Sequence, residues 1–193
     1  FPGNTQEYIL SDAVDYIARR SDPAKIAIRT GRLDIISEAQ ASDPELRIHY
    51  AAKHATIANA WKKWQGELLG INRLGTAAKK RDYEERFAAW AADREEYRTV
   101  VAELKAEYAR ITDAYFAYEL LSETLAALPS SYDEEERAEA VFERRRATEQ
   151  ALFEFLAAEY AARCPAPYLI PEFLDGLHTW GSPEAYARHL FEE

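Results

Sequence analysis

The run from Thr76 to Leu128 contains neither Gly nor Pro, and that uninterrupted length constrains the fold more than any other feature of the chain. Apolar or aromatic side chains recur along it at Tyr83, Phe87, Trp90, Tyr97, Val101, Leu104, Tyr108, Ile111, Tyr115, Tyr118 and Leu125. Steps of three and four are the spacing of a helix that buries one stripe, whereas a strand would alternate every second residue. Unbroken, such a helix would reach roughly 60 to 80 Å at about 1.5 Å per residue, longer than a compact domain of this size is wide. It must therefore project or bend, and Asp93-Arg94, where the stripe lapses, is the place for a bend.

The remaining chain reads as helix as well. Ser11 is placed to cap a short helix through Arg20, and Asp-Pro or Ser-Pro pairs at Asp22-Pro23, Asp43-Pro44 and Ser182-Pro183 predict three further helix starts. In such a pair the polar side chain accepts an orphan amide, and Pro occupies the first helical position, where its missing N–H costs nothing. From Pro44 to Leu69 the stripe Tyr50, His54, Ile57, Trp61, Trp64, Leu68 predicts one buried helix face, and Gly66, Gly70 and Gly75 then predict a turn. Leu128-Pro129-Ser130-Ser131 reverses the chain. The acidic run Asp133 to Glu136 suits the positive end of the next helix, whose apolar face is Ala138, Val141, Phe142, Leu152, Phe153, Leu156 and Tyr160. A short connection between two long amphipathic helices packs them antiparallel. Pro165, Pro167 and Pro171 end that helix, and short helices at 171–180 and 183–193 follow, with extended chain only around Tyr168-Leu169-Ile170. The expected fold class is all-α: an elongated antiparallel helical domain over 1–193 with a long helical hairpin.

Composition narrows the chemistry. A net charge of -10, with 34 acidic against 24 basic residues, disfavours nucleic acid as a partner, because phosphates are neutralised by Lys and Arg. No apolar run reaches the length of a membrane span. The single cysteine, Cys164, offers no internal disulfide and reads as a small buried residue before Pro165. His49 and His54 are five residues apart on a helix and so face different ways, which gives no metal pair. The carboxylates fall on predicted solvent faces near Lys or Arg, and no serine is framed by glycines on a strand-to-helix turn. The stretch Gly66 to Gly75 lacks the preceding strand and Lys-Ser ending of a phosphate loop. The residues nominate no catalytic group, no metal and no cofactor.

Three stretches carry a resemblance: the opening FPGNTQEY, the segment AKIAIRTGRLDIISEAQASDPELR, and RIHYAAKHATIANAWKKWQGELLGINRL from Arg47 to Leu74. In their Arg-x-x-Tyr-Ala-x-Lys run, the Asn59 and Trp61 pair and the glycine-spaced turn, they resemble the helical insertion of bacterial dipeptidyl aminopeptidases of the dipeptidyl-peptidase seven and eleven type. The segment IPEFLDGLHTWGSPEAYARHLF is similar to a later part of that insertion, and the middle matches in helical character and length. The resemblance implies a parent with a chymotrypsin-like double β-barrel carrying a His, Asp and Ser triad, and a helical domain that caps its cleft. Dipeptides then leave only from the free N-terminus of an oligopeptide. It further implies a homodimeric parent, in the periplasm or secreted. The triad has no counterpart in this chain, so the chain is expected to be part or all of the cap and inactive by itself. Phe1-Pro2-Gly3 at its start, without an initiator methionine, fits a piece of a longer polypeptide.

One family role transfers by position: an Asn of the helical domain that binds the peptide's terminal amine corresponds to Asn59. Its carbonyl can accept a hydrogen bond from an ammonium group. At about 100° per residue it lies about 200° around the helix from Ile57, alongside Ala52, Ala55 and Gly66. Trp61 and Trp64 continue the buried stripe and are expected in the core. The alternative function is a free-standing helical scaffold or adaptor that binds a partner protein through its hairpin, as exposed apolar seams on long helices commonly do. The opening segment and the extent of the resemblance favour the cap, with the oligopeptide substrate and the parent's own barrel as its partners.

Overall fold

The computed structural model describes residues 9–124 and 141–169. Its elements are α1 (Ser11–Tyr16), a π-helical turn (Ile17–Ser21), α2 (Asp22–Ser42), α3 (Pro44–His49), α4 (Ala51–Leu74), α5 (Thr76–Ala91), α6 (Val100–Thr124), α7 (Phe142–Arg163) and a short 3-10 turn (Ala166–Tyr168). No strand occurs among the described residues, and the fold is all-α. The expected reversal at Leu128-Pro129-Ser130-Ser131, the acidic run Asp133 to Glu136, the opening Phe1 to Tyr8 and the helices at 171–180 and 183–193 lie outside the described residues.

Several of the expected boundaries move, and the helix expected over Pro44 to Leu69 divides at Tyr50 into α3 and α4. Asp22-Pro23 does not start a separate helix: the chain is helical without interruption from Ser11 to Ser42, and Asp22 makes no capping bond. A proline inside a helix lacks an N–H and crowds the carbonyl four residues back; the wider π turn immediately before Pro23 accommodates both defects. At Asp43-Pro44 the expected cap forms, with the Asp43 carboxylate accepting the amides of Glu45 at 2.8 Å and Leu46 at 3.5 Å. Gly66 and Gly70 sit inside α4, and only Gly75, at φ 62°, breaks the chain between α4 and α5.

The long glycine-free run takes the bent course. It stops at Ala91 and resumes at Val100, and across the gap Trp90 and Tyr97 bring their rings to 5.7 Å. Side-chain pairs give the helix directions. Ser37 meets His54, Thr30 meets Trp61 and Lys25 meets Trp64, so α2 and α4 are antiparallel. Arg20 pairs with Asp113, Lys25 with Glu119 and Arg29 with Glu123, so α6 runs parallel to the α1–α2 rod. Arg144 bonds Asp43 while Gly31 faces Phe155, so α7 runs back along α2 and is antiparallel to α6 as well.

Two apolar clusters lie along α2. Tyr16, Ala24, Ile28, Phe116, Leu120, Leu156 and Tyr160 form one; Leu33, Ile36, Ala39, Leu46, Tyr50, Ile57 and Leu152 form the other. On α7 the buried residues Leu152, Leu156 and Tyr160 belong to the expected stripe. On α6 they do not: Phe116, Ala117, Leu120 and Thr124 are buried, whereas Leu104, Ile111, Tyr115 and Tyr118 are exposed. That helix is apolar on more than one side, so spacing alone cannot choose the face that α2 and α7 cover.

Candidate functional site

Helix α4 is held by the face that its aromatic stripe predicts. Tyr50 and Ile57 are buried, the Trp61 indole N–H donates to Thr30 Oγ1 at 2.9 Å, and the Trp64 ring lies beneath Arg29 at 4.5 Å and Lys25 at 4.9 Å. Both tryptophans are half-buried rather than fully enclosed, because each covers the α2 surface from the outer layer. With that face committed to α2, the opposite face is free. Asn59 is exposed there, and Ala52, Ala55 and Gly66 are exposed with it, as the helical geometry requires. Small side chains around one amide leave room for a ligand to reach both its carbonyl acceptor and its N–H donors.

Elsewhere the described residues bury several charges: Asp22, Arg32, Glu84, Arg145 and Glu149. Glu84 of α5 receives the Ser11 amide at 2.6 Å, the Ser11 hydroxyl at 2.7 Å and the Lys105 ammonium at 2.9 Å. Ser11 therefore does not cap its own helix; a carboxylate from another helix takes that role, where the positive helix end favours it. Burial alone would raise the Glu84 carboxyl, but these hydrogen bonds outweigh it and hold it below the usual carboxylate range. Asp22 is different. It is 2% exposed, its Oδ2 accepts no hydrogen bond, and burial, with Glu67 and Glu119 adding to it against Lys25, pushes it up to about 6. A third group joins Tyr50, Arg145 and Glu149, where the Tyr50 hydroxyl donates to Glu149 Oε1 at 3.3 Å and burial pushes the phenol up.

These arrangements hold helices together rather than assemble a reaction centre. Ser11 is wholly enclosed, so its contact with Glu84 is closed to substrate. Ser37 Oγ lies 3.3 Å from His54 Nε2, but both residues are within helices, whose amides are consumed by the helical ladder and cannot stabilise an oxyanion. Among the described residues no group of three His, Cys, Asp or Glu side chains is placed to hold a metal, and no helix is long and apolar enough to cross a membrane. The buried charges escaped the sequence reading, although a signal exists. Arg32 stands between Ile28 and Ile36 at helical spacing, and Arg145 and Glu149 continue the register of Leu152 and Leu156. A charged residue on an apolar stripe marks a buried polar contact.

Comparison with known proteins bears on the same residues. The peptidase S46 family model matches residues 1–164. The Asp/Glu-specific dipeptidyl-peptidase of Flavobacterium psychrophilum is 28% identical across 97% of this chain and 31% of its own length. Dipeptidyl-peptidase 7 of Porphyromonas gingivalis is 34% identical across 65% of this chain and 18% of its own. Among solved structures, Porphyromonas endodontalis DPP11 superposes with a TM-score of 0.70 at 23% identity, over 100% of this chain and 31% of that one. The same protein in complex with the dipeptide Arg-Glu gives 0.70 at 22% identity, over 100% of this chain and 32% of that one. The chain thus spans about a third of the length of relatives it matches. With the family model covering most of its residues, this chain belongs to the peptidase S46 family.

Proposed function

We propose that the chain is the helical cap of a serine dipeptidyl aminopeptidase, a domain that leans over a cleft carried by another part of the same protein and performs no catalysis alone. The observation that carries this reading is the family match over residues 1–164 in a chain that spans about a third of its relatives. Two features support it. The relatives are named as dipeptidyl-peptidases, and a structural neighbour was solved with a dipeptide bound. The chain also exposes a row of large apolar residues, Tyr83, Trp90, Tyr97, Leu104, Ile111, Tyr115 and Tyr118, as a domain does when further protein packs against it.

The mechanism follows from what an exopeptidase needs. Its cleft must close beyond the second substrate residue and must offer acceptors to a free ammonium group, and a helix face bearing one amide among small side chains suits the second task. Asn59 is the acceptor in this reading, binding the terminal ammonium of the oligopeptide. The His, Asp and Ser triad belongs to the parent's barrel, and the parent is a periplasmic or secreted homodimer. In the intact protein, Asn59→Ala raises KM for N-terminally free peptides by about tenfold, the loss of one hydrogen bond to a charged group. An unchanged KM removes Asn59 from the site.

A further inference from the structure

A pocket lies where α2, α4 and the end of α6 meet, with Ala52 of the Asn59 face at its edge. It is open to solvent, has a volume of ≈ 390 Å³ and is lined by Arg29, Arg32, Lys53, Thr56, Ser122 and Glu123, among others. Three cations thus face one carboxylate in a chain whose net charge is -10. The carboxylate is already engaged: Glu123 takes Arg29 in a two-pronged pair, Nε to Oε2 and Nη2 to Oε1, each at 2.9 Å. Arg32 is left with one long bond, from Nη1 to the Glu123 backbone carbonyl at 3.4 Å. Its Nε is buried without any hydrogen-bond partner although the residue is only 6% exposed. Lys53 has no carboxylate within ion-pair distance among the described residues: Glu149 acts on it from farther away, and its Nζ lies 5.8 Å from the centre of the Tyr50 ring. The Thr56 hydroxyl donates to the Ala52 carbonyl and the Ser122 hydroxyl to the Tyr118 carbonyl, so neither O–H is directed at a ligand.

A guanidinium with a single long hydrogen bond beside an ammonium with no carboxylate at ion-pair distance is a donor set short of acceptors. We infer that this pocket binds a small oxyanion, of carboxylate or phosphate type, held between the Arg32 guanidinium and the Lys53 ammonium. The geometry limits the ligand to an anion: the lining carries an excess of positive charge, and a neutral ligand would leave it uncompensated. Burial, together with the charges of Arg32 and Arg145 and against that of Glu149, holds the Lys53 ammonium below the ordinary lysine range, and an anion seated against it reverses that direction. Its binding groups are Arg32 and Lys53 rather than Asn59, and the inference does not rest on the cap reading.

Calorimetric titration of the intact protein at constant ionic strength tests the inference, with inorganic phosphate, sulfate and acetate as probes in separate arms. Saturable binding of at least one probe is expected, weakened about tenfold or more in Lys53→Gln and unchanged in Lys62→Gln, an exposed lysine of the same helix. Preference for phosphate and sulfate identifies a phosphate-type ligand, and preference for acetate a carboxylate. Arg32→Gln must lose the same binding if it folds, as judged by far-ultraviolet circular dichroism; if it does not fold, Lys53→Gln decides alone. Absence of saturable binding by any probe, as when water alone satisfies Arg32, overturns the inference. So does affinity that survives unchanged in Lys53→Gln.

Discussion

At the scale of single residues, Asp22 and Glu84, two of the buried carboxylates, pull stability in opposite directions with pH. Asp22 titrates at about 6 in the fold and near 4 in an unfolded chain. Between these values the folded state holds the extra proton, so its contribution is complete below pH 4, declines as pH rises through about 6, and is absent above. Asp22→Asn therefore raises stability by on the order of 2 kcal/mol above pH 7 and flattens the slope between pH 4 and 6. Denaturant unfolding over that range reads both effects; a variant with the parental slope would show that Asp22 is not the group responsible. Glu84 has the reverse sign, since its carboxyl is held low. Its contribution is present above the ordinary carboxylate value and is lost as pH falls through the folded one. Glu84→Gln costs about 1.5 to 3 kcal/mol at neutral pH, as expected for a charge-assisted hydrogen-bond set, and this cost shrinks on acidification. Neither residue was legible in the sequence. A buried carboxylate looks like a surface one until its helix is packed, and only the placing of Glu84 on α5 opposite Ser11 reveals it as a cap.

Elements were easier to read than their joints. The helical nature of the long described segments follows from three-four spacing and from the confinement of Gly and Pro to a few places. The joints depend on context: Pro23 sits inside a continuous helix because a π turn absorbs it, and Gly66 and Gly70 remain helical because nothing nearby demands a break. Gly75 is the position where conformation decides, since φ of 62° is strained for any residue with a Cβ. Gly75→Ala is expected to cost about 1 to 2 kcal/mol by thermal unfolding, although nothing lies near a Cβ there. Gly31 tests the complementary case, a regular helix position at which an added Cβ would lie 2.1 Å from Phe155 Cζ. Gly31→Ala costs about 1 to 3 kcal/mol through overpacking between α2 and α7. In a Phe155→Ala background the same change becomes neutral or stabilising, because helix propensity is then the remaining effect. Equal costs in both backgrounds would show that the close approach is not the cause.

At the scale of the whole molecule, α2 is the axis: α4, α6 and α7 all lie along it, and its two apolar clusters are the described core. The aromatic row of α5 and α6 remains outside that core. The sequence made the row look like a buried seam, because periodicity reports that a face is apolar but not which neighbour covers it. The Asn59 face was legible for the converse reason, since it is defined by what α4 does not bury. In the proposed function the aromatic row is packed upon by further protein and the Asn59 face presents its amide to a ligand. The purified chain by itself is accordingly expected to release no dipeptide from N-terminally free peptides; any turnover above a buffer control contradicts that. The most direct measurement is a crystal structure of the intact protein with a dipeptide bound. The peptide's terminal ammonium is expected within hydrogen-bond distance of Asn59 Oδ1, with α4 forming one wall of the closed cleft. A dipeptide bound in a cleft that no residue of this chain approaches would contradict it.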